Sequence, residues 1–161
     1  MVTKWYTGVG SRKTPQDVLA LMTQIALRLS NMGVGLRSGG ALGADRAFES
    51  GARYKQIFFA RHSTPVAESL AAQFHPVWDR LPRYAQQLHG RNAFQVLGDD
   101  LGTPSSYLIC WTPDGCLCHK DRSIKTGGTG TAISIASAHG IPVFNLQRPD
   151  HRARLEAFVA K

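Results

Sequence analysis

Apolar residues recur at spacings of four and three through Val18, Met22, Ile25, Leu29 and Met32, the signature of one buried helical face. Thr14 stands where an N-cap belongs, Pro15 at N1 and Asp17 at N3, and Gly33 follows at the C-terminal end. Ahead of this helix, Trp5 to Gly10 reads as a short strand running into a glycine turn. The alternation continues along the chain. Strands are predicted at Val34–Arg37, Gln56–Ala60, Ser106–Trp111 and Ile141–Asn145. Helices are predicted at Gly43–Arg53, Pro65–Phe74, Arg83–Leu97, Thr129–His139 and Pro149–Ala160. The stretch Ala60–Asp79, with His62, His75 and Pro76, has the weakest pattern and suggests an irregular connection. Short apolar strands alternating with helices imply an α/β domain. The expected fold is a Rossmann-like, doubly wound, mostly parallel five-stranded sheet with helices on both faces, and residues 1–161 form one domain.

Three glycine-rich turns fall at predicted strand ends. They are Gly8-Val9-Gly10-Ser11-Arg12, Ser38-Gly39-Gly40-Ala41-Leu42-Gly43 and Thr126-Gly127-Gly128-Thr129-Gly130-Thr131. In an open parallel sheet the carboxyl ends of all strands share one edge, and ligands bind there. Glycine lets the backbone approach a ligand, and the start of each following helix adds free N–H groups and about half a positive charge. Hydroxyls of Ser11, Ser38, Thr129 and Thr131 can donate further bonds, and Arg12 and Arg37 supply charge-assisted ones. The candidate ligand-binding set is therefore Gly8, Gly10, Ser11, Arg12, Arg37, Ser38, Gly39, Gly40, Gly127, Gly128, Thr129, Gly130 and Thr131. Trp111, at the end of a strand, joins it as a candidate for stacking on a base.

Charge sharpens this reading. Nineteen basic residues against eleven acidic give a net charge of +8, and thirteen of the nineteen are arginine, whose planar fork suits phosphate. A hydrophobic content of 43% excludes a disordered chain. No apolar run approaches the ~18 residues of a membrane span, and residues 1–5 carry no secretory h-region, so no membrane partner is expected. Three cysteines, an odd number, form no disulfide framework and fit a reducing cytoplasm.

At these motifs the chain resembles a known superfamily. Val9-Gly10-Ser11-Arg12 is similar to the first-strand turn of the DNA-processing protein A (Smf) family. Ser38 to Asp45, with Ala47, Gly51 and Ala52, is similar to that family's second motif. Thr126 to Ala132 resembles its third motif and the glycine-rich motif of the Lonely-Guy (LOG) phosphoribohydrolases. Both belong to the SLOG superfamily of Rossmann-like nucleotide-binding proteins, and the chain looks like its short, often phage-encoded members. The resemblance spans residues 4–59 and 105–147 and leaves the middle unmatched. It implies a nucleotide or phosphosugar ligand, no cofactor, and a homodimer or higher homo-oligomer. Three functions follow: sensing or sequestering a nucleotide, binding single-stranded DNA as a recombination mediator, or cleaving a nucleoside phosphate at its N-glycosidic bond. Ser134 occupies the position of the LOG catalytic glutamate, which argues against cleavage. Leu42 replaces an arginine usual in the DNA-processing proteins, which argues against the DNA role.

Outside the turns, Asp45 is the candidate catalytic or sugar-facing acid, in the first turn of the second helix, with Glu49 one turn later. His89-Gly90-Arg91-Asn92 resembles a patch recurring in the short relatives, from which Arg91 and Asn92 could reach the site, but it reads first as a structural or surface patch. Cys116-Leu117-Cys118-His119 lacks the second ligand pair of a structural zinc site, so no metal is expected. Pro113–Lys125 reads instead as a mobile basic loop carrying Lys120, Arg122 and Lys125.

Overall fold

In the computed structural model, which describes residues 1–161, five strands form one sheet: β1 Lys4–Gly8, β2 Val34–Ser38, β3 Lys55–Ile57, β4 Leu108–Cys110 and β5 Val143–Asn145. Their order is β3-β2-β1-β4-β5, and every neighbouring pair is parallel. Six helices cover it: α1 Gln16–Asn31, α2 Ala44–Gly51, α3 Pro65–Ala72, α4 Arg83–Leu97, α5 Thr129–Ala138 and α6 Pro149–Val159. This is the Rossmann-like, doubly wound arrangement expected, and its sheet is parallel throughout.

A parallel sheet is stable only when both faces are buried, and two apolar clusters do this. On one face, Met22 and Ile25 of α1, Phe48 of α2 and Leu155 of α6 pack on Tyr6, Leu36 and Ile109. On the other, Ala93, Val96 and Leu97 of α4 and Ile133 and Ala136 of α5 pack on Leu108, Cys110 and Val9, with Ala67 of α3 beside them. No helix is long and apolar enough to cross a membrane.

Several local expectations shift. Met32, the last member of the helical stripe, is 56% exposed, and α1 ends before it. Thr14 does not cap α1: its hydroxyl donates to the Ser11 carbonyl at 2.6 Å, closing the first glycine turn, and the helix begins after Pro15. β3 stops at Ile57 because the Phe59 N–H turns to His62 Nδ1 at 3.0 Å and a 3-10 turn follows at Ala60–His62. The weakly patterned stretch therefore holds that turn, α3 with its Thr64 cap, and a second 3-10 turn at Trp78–Arg80.

The strand order reverses between β1 and β4. Chain leaving the carboxyl ends of these two central strands diverges and opens a crevice, the standard position of a ligand in such sheets.

Candidate functional site

The crevice is real and polar. A cavity of about 220 Å³ lies there, lined by Val9, Gly10, Ser11, Arg12, Ala41, Asp45, Ala85, Leu88, His89, Arg91, Asn92, Gln95, Gly128, Thr129 and Ala132. The first turn runs along the end of β4: Val9 N–H donates to the Ile109 carbonyl and Ser11 N–H to the Trp111 carbonyl, both at 3.1 Å. Gly10 is wedged between elements, since a Cβ there would lie 2.7 Å from the Ala44 Cβ and 3.0 Å from the Trp111 carbonyl oxygen. This close approach brings the turn, the start of α2 and the end of β4 to one point.

The third turn enters from the other side. Gly127 has φ +66°, and Gly128 caps α5. Gly130 and Thr131 donate back to the carbonyls of Gly127 and Gly128, while the amides of Gly128 and Thr129 find no backbone acceptor. Those unpartnered amides mark the positive end of α5, beside the cavity.

Helix α4 ties the turns together, through bonds that the sequence did not disclose and through Gln95, which it did not single out. Arg91 Nη1 donates to the carbonyls of Gly39 (2.7 Å) and Phe58 (3.0 Å). Asn92 Nδ2 donates to the Gly128 carbonyl at 3.2 Å, and His89 Nδ1 lies 2.7 Å from Thr131 Oγ1. With its amide oriented to suit its neighbours, Gln95 accepts from Gly39 N–H (3.3 Å) and Arg91 Nε (3.2 Å). Of the two roles expected of His89–Asn92, the structural one is found, and His89, Arg91 and Asn92 also line the crevice. His89, Asn92 and Gln95 are spaced by three along a helix whose other buried positions are mostly apolar, and that polar stripe was the available signal.

Electrostatics follows from burial. Asp45 is only 4% exposed, and its Oδ2 accepts the Ala41 N–H at 3.3 Å. Burial pushes its pKa up to about 6, partly opposed by the Arg91 guanidinium, with Glu49 adding to the rise. Burial likewise holds His89 down at about 4, helped by His75, Arg122 and Arg91. His89 is therefore a neutral hydrogen-bonding group at neutral pH, while Arg12 and Arg91 carry the positive charge of the crevice.

The remaining candidates divide. Gly10, Ser11, Arg12, Asp45, Gly128 and Thr129 meet at the cavity. Gly8 and Ser38 lie behind it, where Ser38 Oγ donates to the Gly8 carbonyl at 2.6 Å. Gly39 and Gly40 line an adjoining cavity of about 410 Å³. Thr131 is buried against His89, and Gly130 faces Arg122, whose Nε would lie 2.5 Å from a Cβ there. Gly127 borders a separate hollow next to Arg122. Arg37 points away: its guanidinium donates to the Thr103 carbonyl (2.6 Å), Ser105 Oγ (3.2 Å) and Gln56 Oε1 (3.2 Å) and lies over the Trp5 ring. An arginine so engaged is held inside the fold, turned toward Thr103 and Ser105 and not toward the crevice. Trp111 contributes its backbone to the first turn, while its half-buried ring packs against the α1/α2/α6 core.

The basic loop is tied down. The Asp114 carboxylate accepts from Ser123 Oγ at 2.7 Å and from Thr126 Oγ1, and Arg122 Nη1 donates to the Phe74 carbonyl at 2.6 Å. Ser134 is fully buried and meets His119 Nδ1 at 2.8 Å, away from the cavity. Cys110 and Cys116 are buried free thiols, and no three His, Cys, Asp or Glu side chains gather as metal ligands would. No protein-family model, curated protein or solved structure matches the chain.

Proposed function

We propose that the chain binds a nucleotide or nucleotide-derived phosphate in the crevice between β1 and β4, as a sensing or sequestering domain of SLOG type. The observation that carries this reading is Gly128. Its φ of −62° and ψ of −26° suit any residue, and a Cβ there would meet nothing within 4 Å. Neither conformation nor packing asks for glycine, yet the residue lines the cavity and begins α5 with an unpartnered amide. A phosphate pressed against that backbone gives the missing reason, since a helix start presents N–H groups and a positive dipole end to an anion. Arg12, exposed at the rim, adds a charge-assisted contact, and Asp45 faces the sugar.

Binding without cleavage is the version favoured. Departure of a base from ribose needs a proton donor as well as charge stabilisation. Asp45 provides one acid, and Ser134 lies bonded to His119 outside the cavity.

Isothermal titration with inorganic phosphate and nucleoside 5′-monophosphates tests the reading. Wild type should bind, and Gly128→Ala should bind at least roughly tenfold more weakly, for the loss of about one charge-assisted hydrogen bond. Equal binding by both proteins would overturn it. Oligonucleotide binding that falls roughly 10³-fold between 50 and 200 mM salt, with no mononucleotide binding, would transfer the assignment to single-stranded DNA.

A further inference from the structure

Beside the polar crevice lies the 410 Å³ cavity, and the two share Arg12, Ala41, Leu88 and Arg91 as a common wall. The second lobe differs in kind. It is edged by large apolar side chains left in water: Leu42 is 62% exposed, Tyr84 63% and Phe59 38%. Singly, exposed apolar residues need no explanation, but here three surround one hollow adjoining a phosphate-type site.

The Phe59 ring is also held in place. It rests against Gly40, where a Cβ would lie 2.7 Å from Phe59 Cε1, and the Arg61 guanidinium sits 4.7 Å from its centroid. Its backbone N–H is fixed by His62 Nδ1. An aromatic ring immobilised before any ligand arrives loses little side-chain freedom on binding, which is the condition for an effective stacking platform.

We propose that this second lobe is a nucleobase subsite, with Phe59 and Tyr84 as the stacking surfaces and Arg61 contributing a guanidinium plane. This rests on the phosphate reading of the crevice and sharpens it: the ligand is a nucleotide, and a bare phosphosugar fills only half of the site. Phosphate at Gly128 and Thr129, sugar past Asp45 and Ala41, and base beyond the Arg12–Arg91 wall follow one continuous path. The lobe offers aromatic faces more than a pattern of fixed side-chain donors, so it favours stacking strength over base identity, and purines should bind ahead of pyrimidines.

The experiment compares ribose 5-phosphate with adenosine and cytidine 5′-monophosphates by calorimetry, on wild type, Tyr84→Ala and Phe59→Leu. Tyr84 is largely exposed and Phe59→Leu keeps an apolar side chain, and thermal melting confirms that each variant is folded. Adenosine monophosphate should bind wild type roughly tenfold more tightly than ribose 5-phosphate, and each variant should lose roughly fivefold or more of that preference. Ribose 5-phosphate should bind all three proteins alike. If wild type binds ribose 5-phosphate and adenosine monophosphate equally, or the variants keep the full preference, the base subsite falls and the phosphate site stands. If wild type binds none of the three compounds, both fall together.

Discussion

The second and third glycine turns look alike in sequence and differ in how far the fold itself demands their glycines. In the second, Ser38–Gly43, side chains of the protein answer several polar groups, while the amides of Gly40, Leu42 and Gly43 find no backbone acceptor. Ser38 Oγ donates to Gly8, the Gly39 carbonyl accepts from Arg91, and the Ala41 N–H donates to Asp45. Its glycines are demanded by neighbours: at Gly43, φ is +90° and a Cβ would lie 2.9 Å from the Arg12 Cα. In the third, the Gly128 and Thr129 amides are unanswered and the space at Gly128 is open. A glycine motif thus holds positions that packing demands, as at Gly43, and positions that it does not, as at Gly128, and only the surroundings separate them.

The largest effect expected from this contrast is at Gly43. Alanine there combines a backbone region open to little but glycine with a clash against main chain, costing roughly 4 kcal/mol. The melting temperature should fall by roughly 8–16 °C. A loss below a couple of degrees would mean that the second turn is less constrained than its geometry implies.

Next comes the acid that closes the second turn. The carboxyl of Asp45 has a pKa near 3.8 unfolded and about 6 folded. Below the lower value both states hold the proton, and well above the upper value neither does. Between them only the folded chain retains it, so this stability is fully present in acid and is lost as pH rises through about 6. The loss amounts to about 3 kcal/mol, from 1.36 kcal/mol per pKa unit. Denaturant unfolding of wild type and Asp45→Asn between pH 3.5 and 7 should show the difference in stability moving in favour of the asparagine variant as pH rises. A constant difference would place the carboxyl in water.

The smallest effect is at Gly128. Alanine should leave stability within about 1 kcal/mol of wild type and tend to raise it, by restricting the unfolded chain. A marked drop in melting temperature would assign Gly128 to packing and erase the contrast between the turns.

Much of the fold was legible in the chain because the apolar periodicity of α1 and the shortness of the strands are local properties. Helix α4 was placed with its observed bounds, Arg83–Leu97. Its role was not, because a strand–helix pattern says nothing of which face of a helix meets a distant turn. Arg91 reaches Gly39 and Phe58, and Asn92 reaches Gly128, across separations that only the tertiary fold closes. Arg37 misled for the converse reason. It stands next to a glycine turn in sequence, but the preceding position in a strand points to another side, toward Thr103 and Ser105.

The order of the strands has a kinetic consequence. β1 pairs with β2 through Thr7 and Arg37 and with β4 through Thr7 and Leu108, so its two partners are reached by closing loops of very different length. Short closures cost less chain entropy and form sooner, which favours the unit β1-α1-β2-α2-β3 as the early half of the structure. The crevice takes Ser11 and Arg12 from that half and Arg91, Gly128 and Thr129 from the other, so it comes into being only when the late pairing closes. On the proposed binding, occupancy of the crevice would report on completed folding, and an anion held there would stabilise the finished chain without helping its first half to form.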